Sequence, residues 1–172
     1  MNMDDATLLW HYVEHWAEKK PKEEALVFNE TRITWAEFKE QVDRVAKAYL
    51  ELGIQHGDRI AMISMARPEF IISFMAAAKI GAIWMGLSPK FTLDEIHYLI
   101  GEAQPALLII LRNYAGIDLV ERGLTFQQEF PCILEVVVIG ERCEWFPEYE
   151  SLVNRPRLAW DAILQERMAE VT

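Results

Sequence analysis

The chain has 172 residues, a mass of 20.0 kDa and 52% hydrophobic residues, which suits one globular domain and excludes a disordered or fibrous protein. Its 17 basic and 27 acidic residues give a formal net charge of −10. Such a chain is repelled by phosphate backbones unless its basic residues cluster, and the densest basic run, residues 19–22, is followed at once by two glutamates. We therefore expect no nucleic acid among its partners.

The first third of the chain predicts a helix, a hairpin and a second helix. Apolar residues recur at helical spacing over residues 5–20. Two short β-prone runs within Ala25–Thr34 flank an Asn-Glu turn, which is typical of a hairpin. Thr34 and Glu37 form a capping box, because the hydroxyl can accept from a free amide while the carboxylate reaches back. Gly53 then suits the end of the helix that they open.

The remainder of the chain alternates apolar strands with helices, which predicts a parallel sheet covered on both faces. The predicted strands are residues 59–64, 82–87, 106–111 and 133–139, and the predicted helices are residues 68–80, 92–103, 117–128 and 159–171. The predicted fold class is α/β, a three-layer, flavodoxin- or Rossmann-like core preceded by a helix and a β-hairpin. We divide the chain into residues 1–58 and a parallel α/β subdomain over residues 59–172. The segment from Glu141 to Arg157, rich in aromatic and charged residues and prolines, is expected to be a surface connection.

One apolar stretch, Phe70 to Leu87, is long enough to cross a bilayer. Lys79 interrupts it, and a charge in mid-bilayer costs about 2.5–3.5 kcal/mol, so we expect no membrane span. The acidic N-terminus does not resemble a signal peptide. Cys132 and Cys143 match neither a redox nor a zinc motif and indicate structural thiols in a reducing compartment, which predicts a cytoplasmic protein.

No motif in the sequence assembles a catalytic or ligand-binding set. The chain contains no glycine-rich phosphate loop, no nucleophile elbow and no metalloprotease helix signature. His11 and His15 lie four residues apart and could share a metal with outside ligands, but a solvated helix face is the favoured interpretation. His56 and His97 are expected at the surface. We therefore predict no catalytic, cofactor-binding or metal-ligating residue in this chain.

Three segments occur in an order and at a spacing that resemble a known superfamily. ITWAEF is followed by a long helix and GIQHGDRI within Ile33–Ile63, and KIGAIWMGLSPKF leads into EIHYL within Phe74–Ile109. A helix and a short strand precede them, beginning at Leu9. Together these segments resemble the N-terminal portion of the adenylate-forming enzymes, the acyl-CoA synthetases and their relatives. The resemblance covers Leu9 to Leu111 well and the remainder loosely.

The resemblance implies a parent enzyme that activates a carboxylic acid with ATP and Mg²⁺ and transfers the acyl group to coenzyme A. LSPKFTLDEIHYLI is more similar to ligases of fatty acids than to peptide-synthetase domains. The family's phosphate loop and C-terminal domain lie further along its chain, so we expect an inactive structural fragment whose partner is the remainder of the synthetase. Apolar surface left uncovered predicts a homo-oligomer, with Trp145, Phe146 and Trp160 as contacts.

Two alternatives remain open at this point. The chain could be a stand-alone interaction or regulatory remnant of a synthetase. It could also be a flavodoxin-like nucleotide-binding module, with the ligand at the carboxyl ends of the strands, near Ser64–Arg67 or Ser88–Lys90. Arg67 or Lys90 would then meet an anion, although these loops lack phosphate-binding glycines and a surface charge is the favoured interpretation of each.

Overall fold

The computed structural model describes residues 8–171, so residues 5–7 of the first predicted helix lie outside the described part. The strands are β1 (Glu24–Phe28), β2 (Thr31–Thr34), β3 (Arg59–Ile63), β4 (Ile83–Leu87), β5 (Leu107–Leu111), β6 (Asn113–Tyr114), β7 (Ile117–Asp118) and β8 (Glu135–Ile139). The helices are α1 (Leu9–Lys19), α2 (Trp35–Glu51), α3 (Pro68–Lys79), α4 (Leu93–Ala103), α5 (Val120–Glu129), α6 (Tyr149–Asn154) and α7 (Asp161–Glu170), with a 3₁₀ turn at Leu158–Trp160.

The central sheet has four parallel strands in the order β4-β3-β5-β8, which confirms the predicted parallel α/β core. Ile60 at the centre lies opposite both Trp84 and Leu107. Counted along the chain the order is 2-1-3-4, as at the start of a flavodoxin-like sheet. β1 and β2 form the expected antiparallel hairpin, with Asn29 in the left-handed region at φ +52°.

Two hydrophobic layers cover the sheet because successive strand residues point to opposite faces. On one face α1, α2, α3, α6 and α7 pack against alternate residues of β3, β5 and β8, such as Ile60, Ile109 and Val137. On the other face α4 and α5 contribute Ile100 and Phe126 to a second layer. The first layer includes residues from both sides of the division at residue 58, since α2 packs directly against α3.

The capping boxes that open α2 and α4 are both present. The hydroxyl of Thr34 accepts from the Glu37 amide at 3.3 Å, and the Glu37 carboxylate accepts from the Thr34 amide at 2.8 Å. Thr92 and Glu95 repeat the same geometry at the start of α4. These reciprocal bonds satisfy amides that have no partner inside the helix. Because Thr and Glu at this spacing are visible in the sequence, the starts of α2 and α4 could both be predicted.

The predicted helix over residues 117–128 is wrong at its beginning. Residues 113–118 form a tight antiparallel pair, β6 and β7, whose turn residues Ala115 and Gly116 take positive φ angles of 50° and 81°. α5 therefore starts at Val120, whose amide donates to the Asp118 carboxylate at 2.9 Å. The next strand also begins two residues later than predicted, at Glu135.

The expectation of a surface connection over Glu141–Arg157 is wrong in part. This segment contains α6, and it buries Tyr149 and Val153 in the first layer and Phe146 in the second. Phe146 packs over Gly123 of α5, where a Cβ atom would lie 3.1 Å from its ring. Phe146 is therefore not available as an oligomer contact, and Trp160 is half-buried against the first layer, whereas Trp145 is 65% exposed.

A cluster of four charged side chains joins α1, α2 and α3, and we call it the Lys79 cluster. The ammonium of Lys79, 1% exposed, bonds to both Glu14 and Asp43. Lys39 completes it, 2.6 Å from Asp43 and 3.4 Å from Glu14. Lys79, the residue that interrupts the apolar stretch from Phe70 to Leu87, thus lies inside the protein with two anionic partners. Within residues 8–171, no helix is both long and apolar enough to cross a membrane.

Candidate functional site

The carboxyl edge of the parallel sheet is the candidate site, because ligands of open α/β sheets bind where the strand order reverses. In this chain the reversal falls between β3 and β5, whose connections leave in opposite directions. The loops after β3, β4, β5 and β8 form this edge, and both segments named in the nucleotide-binding alternative lie on it.

The loop after β3 has no cationic side chain available for an anion. Arg67 donates from Nε and Nη2 to the two carboxylate oxygens of Glu69, each at 2.7 Å. Ser64 is buried, its amide donates to the Leu87 carbonyl at 3.2 Å and its hydroxyl donates to the Met65 carbonyl at 3.0 Å. The guanidinium of Arg67, which would meet an anion in the nucleotide-binding alternative, is therefore already occupied by a bidentate pair with Glu69.

The loop after β4 leaves one candidate cation available. Lys90 is exposed, and no other residue in the described range pairs with its ammonium. Its backbone amide donates to the Ser88 hydroxyl at 3.2 Å, which shapes the turn that leads into α4. One exposed lysine without converging amides attracts an anion only weakly, because a phosphate site needs several donors aimed at one point.

Sequence reasoning missed the part played by Arg112, which follows β5. Its guanidinium donates to the carbonyls of Glu141, at 3.0 Å, and of Arg142, and it lies 3.5 Å from the Asp118 carboxylate. It therefore ties the β6–β7 hairpin to the loop after β8. Beside it, exposed Trp145 helps to line an open groove of about 880 Å³. In the sequence, the only feature that points to this role of Arg112 is its position directly after a predicted strand, and arginines at strand ends are too common for that position to be diagnostic.

A second groove of about 590 Å³ lies between the β1–β2 hairpin, α2, α3 and α6. Three arginines and four glutamates line it, so no single charge dominates. The backbone amide and the hydroxyl of Thr34 donate to Glu37 and lower the pKa of that carboxyl. Burial raises the pKa of Tyr149, whose hydroxyl is 2.9 Å from that of Ser73. The carboxylate stays ionised and the phenol stays neutral, so neither is tuned for proton transfer near pH 7.

The four histidines do not converge on one point. His11 Nδ1 is 3.4 Å from the Leu8 amide, while His15 is buried on the same helix. His56 is exposed beside Gly81, and His97 is exposed with its Nε2 2.9 Å from Glu129. Over residues 8–171 no group of three His, Cys, Asp or Glu side chains is arranged to hold a metal ion. Cys132 and Cys143 are both free thiols, as predicted.

This architecture defines a class: a three-layer α/β domain with flavodoxin-like strand order. A family model described as "AMP-binding enzyme" matches residues 13–159. The chain belongs to this AMP-binding, adenylate-forming family, which confirms the resemblance drawn from its motifs.

Three similar proteins illustrate the match. The acyl-CoA ligase sidI of Aspergillus fumigatus is 31% identical over 156 residues, which are 86% of this chain and 26% of that protein. The acetoacetyl-coenzyme A synthetase of Rhizobium meliloti is 32% identical over 109 residues, 60% of this chain and 17% of that protein. The solved acetoacetyl-CoA synthetase from Streptomyces lividans superposes with a TM-score of 0.78 at 22% identity, covering 87% of this chain and 25% of that one. The chain thus spans about a quarter or less of the length of these three proteins.

Proposed function

We propose that this chain is a structural part of an ATP-dependent carboxylic acid–CoA ligase. The observation that carries the proposal is the family match along most of the chain, together with relatives named as CoA ligases or synthetases. In this reaction class the acid's carboxylate attacks the α-phosphorus of ATP and releases pyrophosphate. The thiol of coenzyme A then attacks the acyl carbon of the acyl-adenylate and releases AMP.

The residues present do not fit an ATP–Mg²⁺ site, so we assign no step of this chemistry to them. The loops at the carboxyl edge carry no glycine-rich cradle, and Arg67 is already paired with Glu69. Among residues 8–171, no three His, Cys, Asp or Glu side chains are grouped so that they could hold a metal ion. The role that these residues support is a scaffold: the parallel sheet, its two apolar layers and the loops that would form one wall of a site.

We further propose that the isolated chain has no ligase activity and that the parent acts on a fatty acid. The substrate proposal rests on the segment from Leu87 to Ile100, which resembles ligases of fatty acids. Two free thiols support a reducing, cytoplasmic location for the same protein. The partner that this role requires is the remainder of a synthetase, in the same chain or as a separate one.

Acid-dependent ATP–pyrophosphate exchange on the purified chain tests the proposal, with a complete family member as the positive control. We expect no exchange above background for acetate, octanoate or palmitate. Clear turnover by the chain alone would refute the scaffold role. Sequencing the gene beyond Thr172 provides the complementary test, because a phosphate-loop motif supports the ligase and an immediate stop codon favours the interaction remnant. If ATP, coenzyme A or a flavin raises the Tm, the nucleotide-binding alternative is favoured instead.

A further inference from the structure

The last helix, α7, contacts the rest of the protein through one narrow stripe of side chains. Trp160, Arg167 and Met168 are half-buried, and Leu164 is only 3% exposed. These positions recur at intervals of three to four residues or their sums, so they share one face of a helix. The residues between them are exposed, and they include Ile163 at 41%. α7 therefore packs against the protein on one face only.

The surface beneath this stripe belongs mainly to α2. At the start of α7 the Asp161 carboxylate accepts from the Lys47 ammonium at 2.7 Å. Near its end Arg167 donates from Nη2 to Oε1 of Gln55, which lies just after α2, at 3.2 Å. Because both pairs follow chain order, α7 runs beside α2 in the same direction. A helix that lays one face along a groove, with apolar anchors four residues apart, is a common mode of peptide recognition.

The attachment of α7 is weak compared with that of the other helices in this layer. α2 has seven buried residues, whereas α7 has one, Leu164. No side chain caps the amino end of α7, and its ten residues are fewer than the roughly 12–15 that an isolated helix needs. Elements with few buried apolar contacts open at a lower free energy than the core. When α7 leaves α2 it should therefore also lose its helical structure.

The segment before α7 fixes the point about which that helix can move. Tyr149 and Val153 of α6 are buried in the first layer. The side chain of Arg157 is 2% exposed and donates to the Glu51 carboxylate at 2.8 Å. Leu158, the next residue, is 83% exposed. The boundary between firmly held and loosely held chain therefore lies between Arg157 and Leu158.

We propose that the α2 surface beneath the stripe is a helix-docking site, which α7 occupies within the chain and leaves by local unfolding while the sheet stays folded. The partner that fits this site is a short helix with the pattern of α7: an acid at its start, opposite Lys47, and apolar residues four apart. α7 is then a built-in competitor, because a free helix binds only the fraction of molecules in which α7 is away. This docking site is independent of the proposed ligase role.

Native-state hydrogen exchange on the 172-residue chain measures the opening of α7. The protection factors of the α7 amides should be at least about 100-fold lower than those of β3, and low urea concentrations should leave them nearly unchanged. Leu164→Asp should remove the protection of α7, whereas Ile163→Asp, at an exposed position of the same helix, should retain it. The β3 amides report whether each variant keeps the folded sheet.

A fluorescein-labelled synthetic peptide with the sequence of residues 158–171 tests the docking site itself. Fluorescence anisotropy should show that the peptide binds the Leu164→Asp variant at least about tenfold more tightly than the wild type, in which α7 occupies the site. The ratio of the two dissociation constants should match the wild-type protection factor of the α7 amides, since both report the open fraction. The same peptide carrying Leu164→Asp is the matched control and should not bind.

Three results would overturn the proposal. The first is exchange of the α7 amides only together with those of β3, because α7 would then open only by global unfolding. The second is a Leu164→Asp variant that keeps its sheet and does not bind the peptide. The third is equal affinity of the peptide for the variant and the wild type, since the bound peptide would then occupy a surface that α7 does not cover.

Discussion

Replacing Lys79 by Met tests whether the Lys79 cluster holds the three helices of the first layer together. The methionine side chain fills nearly the same volume, so the change removes the charge and leaves the packing. Glu14 and Asp43 then lose the ammonium that bonds to both and keep only the partly exposed Lys39. The perturbation thus isolates the buried charge on α3.

The expected magnitude follows from the burial of each partner. Removing one member of a fully buried ion pair costs about 3–5 kcal/mol. Here the carboxylate side chains are 27% and 20% exposed, and a second lysine still neutralises them, so we expect about 2–3 kcal/mol. Domains of this size have unfolding free energies of about 5–15 kcal/mol, so this loss is a large fraction of the total.

Equilibrium urea unfolding, followed by circular dichroism, measures the loss. Lys39→Met is the matched control, since its side chain is 35% exposed and its loss should cost less than about 1 kcal/mol. Adding Glu14→Gln and Asp43→Asn to the Lys79 variant should recover part of the stability, because the orphaned charges are then gone. If Lys79→Met and Lys39→Met lowered the free energy of unfolding equally, the larger effect that we assign to the buried charge of Lys79 would be refuted.

Three further predictions concern local geometry. Gly81→Ala and Gly53→Ala should each destabilise the fold, because both residues have a positive φ that an L side chain adopts only with strain; thermal unfolding of both variants measures the losses. Arg157→Met should increase amide exchange selectively over α6 and α7, since its buried guanidinium holds that segment to α2, whereas Arg155→Met, 67% exposed, should not. Finally, the pKa of Glu37 is lowered in the folded state, so the carboxylate contributes fully to the free energy of unfolding above its ordinary pKa of 4.5, and this contribution is lost as the pH falls through the lower folded value. In Glu37→Gln, the free energy of unfolding in urea should therefore depend less steeply on pH below 4.5 than in the wild type. An unchanged slope would contradict the capping role.

The parts of the fold that the sequence predicts correctly are those set by local chemistry. The Thr34–Glu37 and Thr92–Glu95 boxes fix two helix starts within four residues of chain, and the apolar runs of β3 and β5 are continuous because both faces are covered. In each case the signal and the structure that it specifies occupy the same short segment, so no tertiary information is needed.

The missed elements depend on contacts between distant parts of the chain. α6 has six residues, too few to be stable alone, and it forms because Tyr149 and Val153 are buried against α2 and α3. Arg157 is buried for the same reason, with Glu51 and the Leu152 carbonyl as partners. A segment that mixes aromatic, charged and proline residues indicates a surface loop when it is considered alone. Its burial could be predicted only by knowing that α2 and α3 form the surface against which it packs, and the sequence does not show which helices those are.

The residues that carry the family resemblance explain why it identifies a fold more firmly than a substrate. Thr34 caps α2, the Asp58 carboxylate accepts from the Gln55 amide at 2.7 Å, and Gly81 takes φ +73° where α3 turns into β4. Each of these residues acts on the backbone of this chain, at a helix start or in a turn. Thr34, Asp58 and Gly81 therefore report on the fold, whereas the proposal of a fatty-acid substrate rests on a different segment, Leu87 to Ile100.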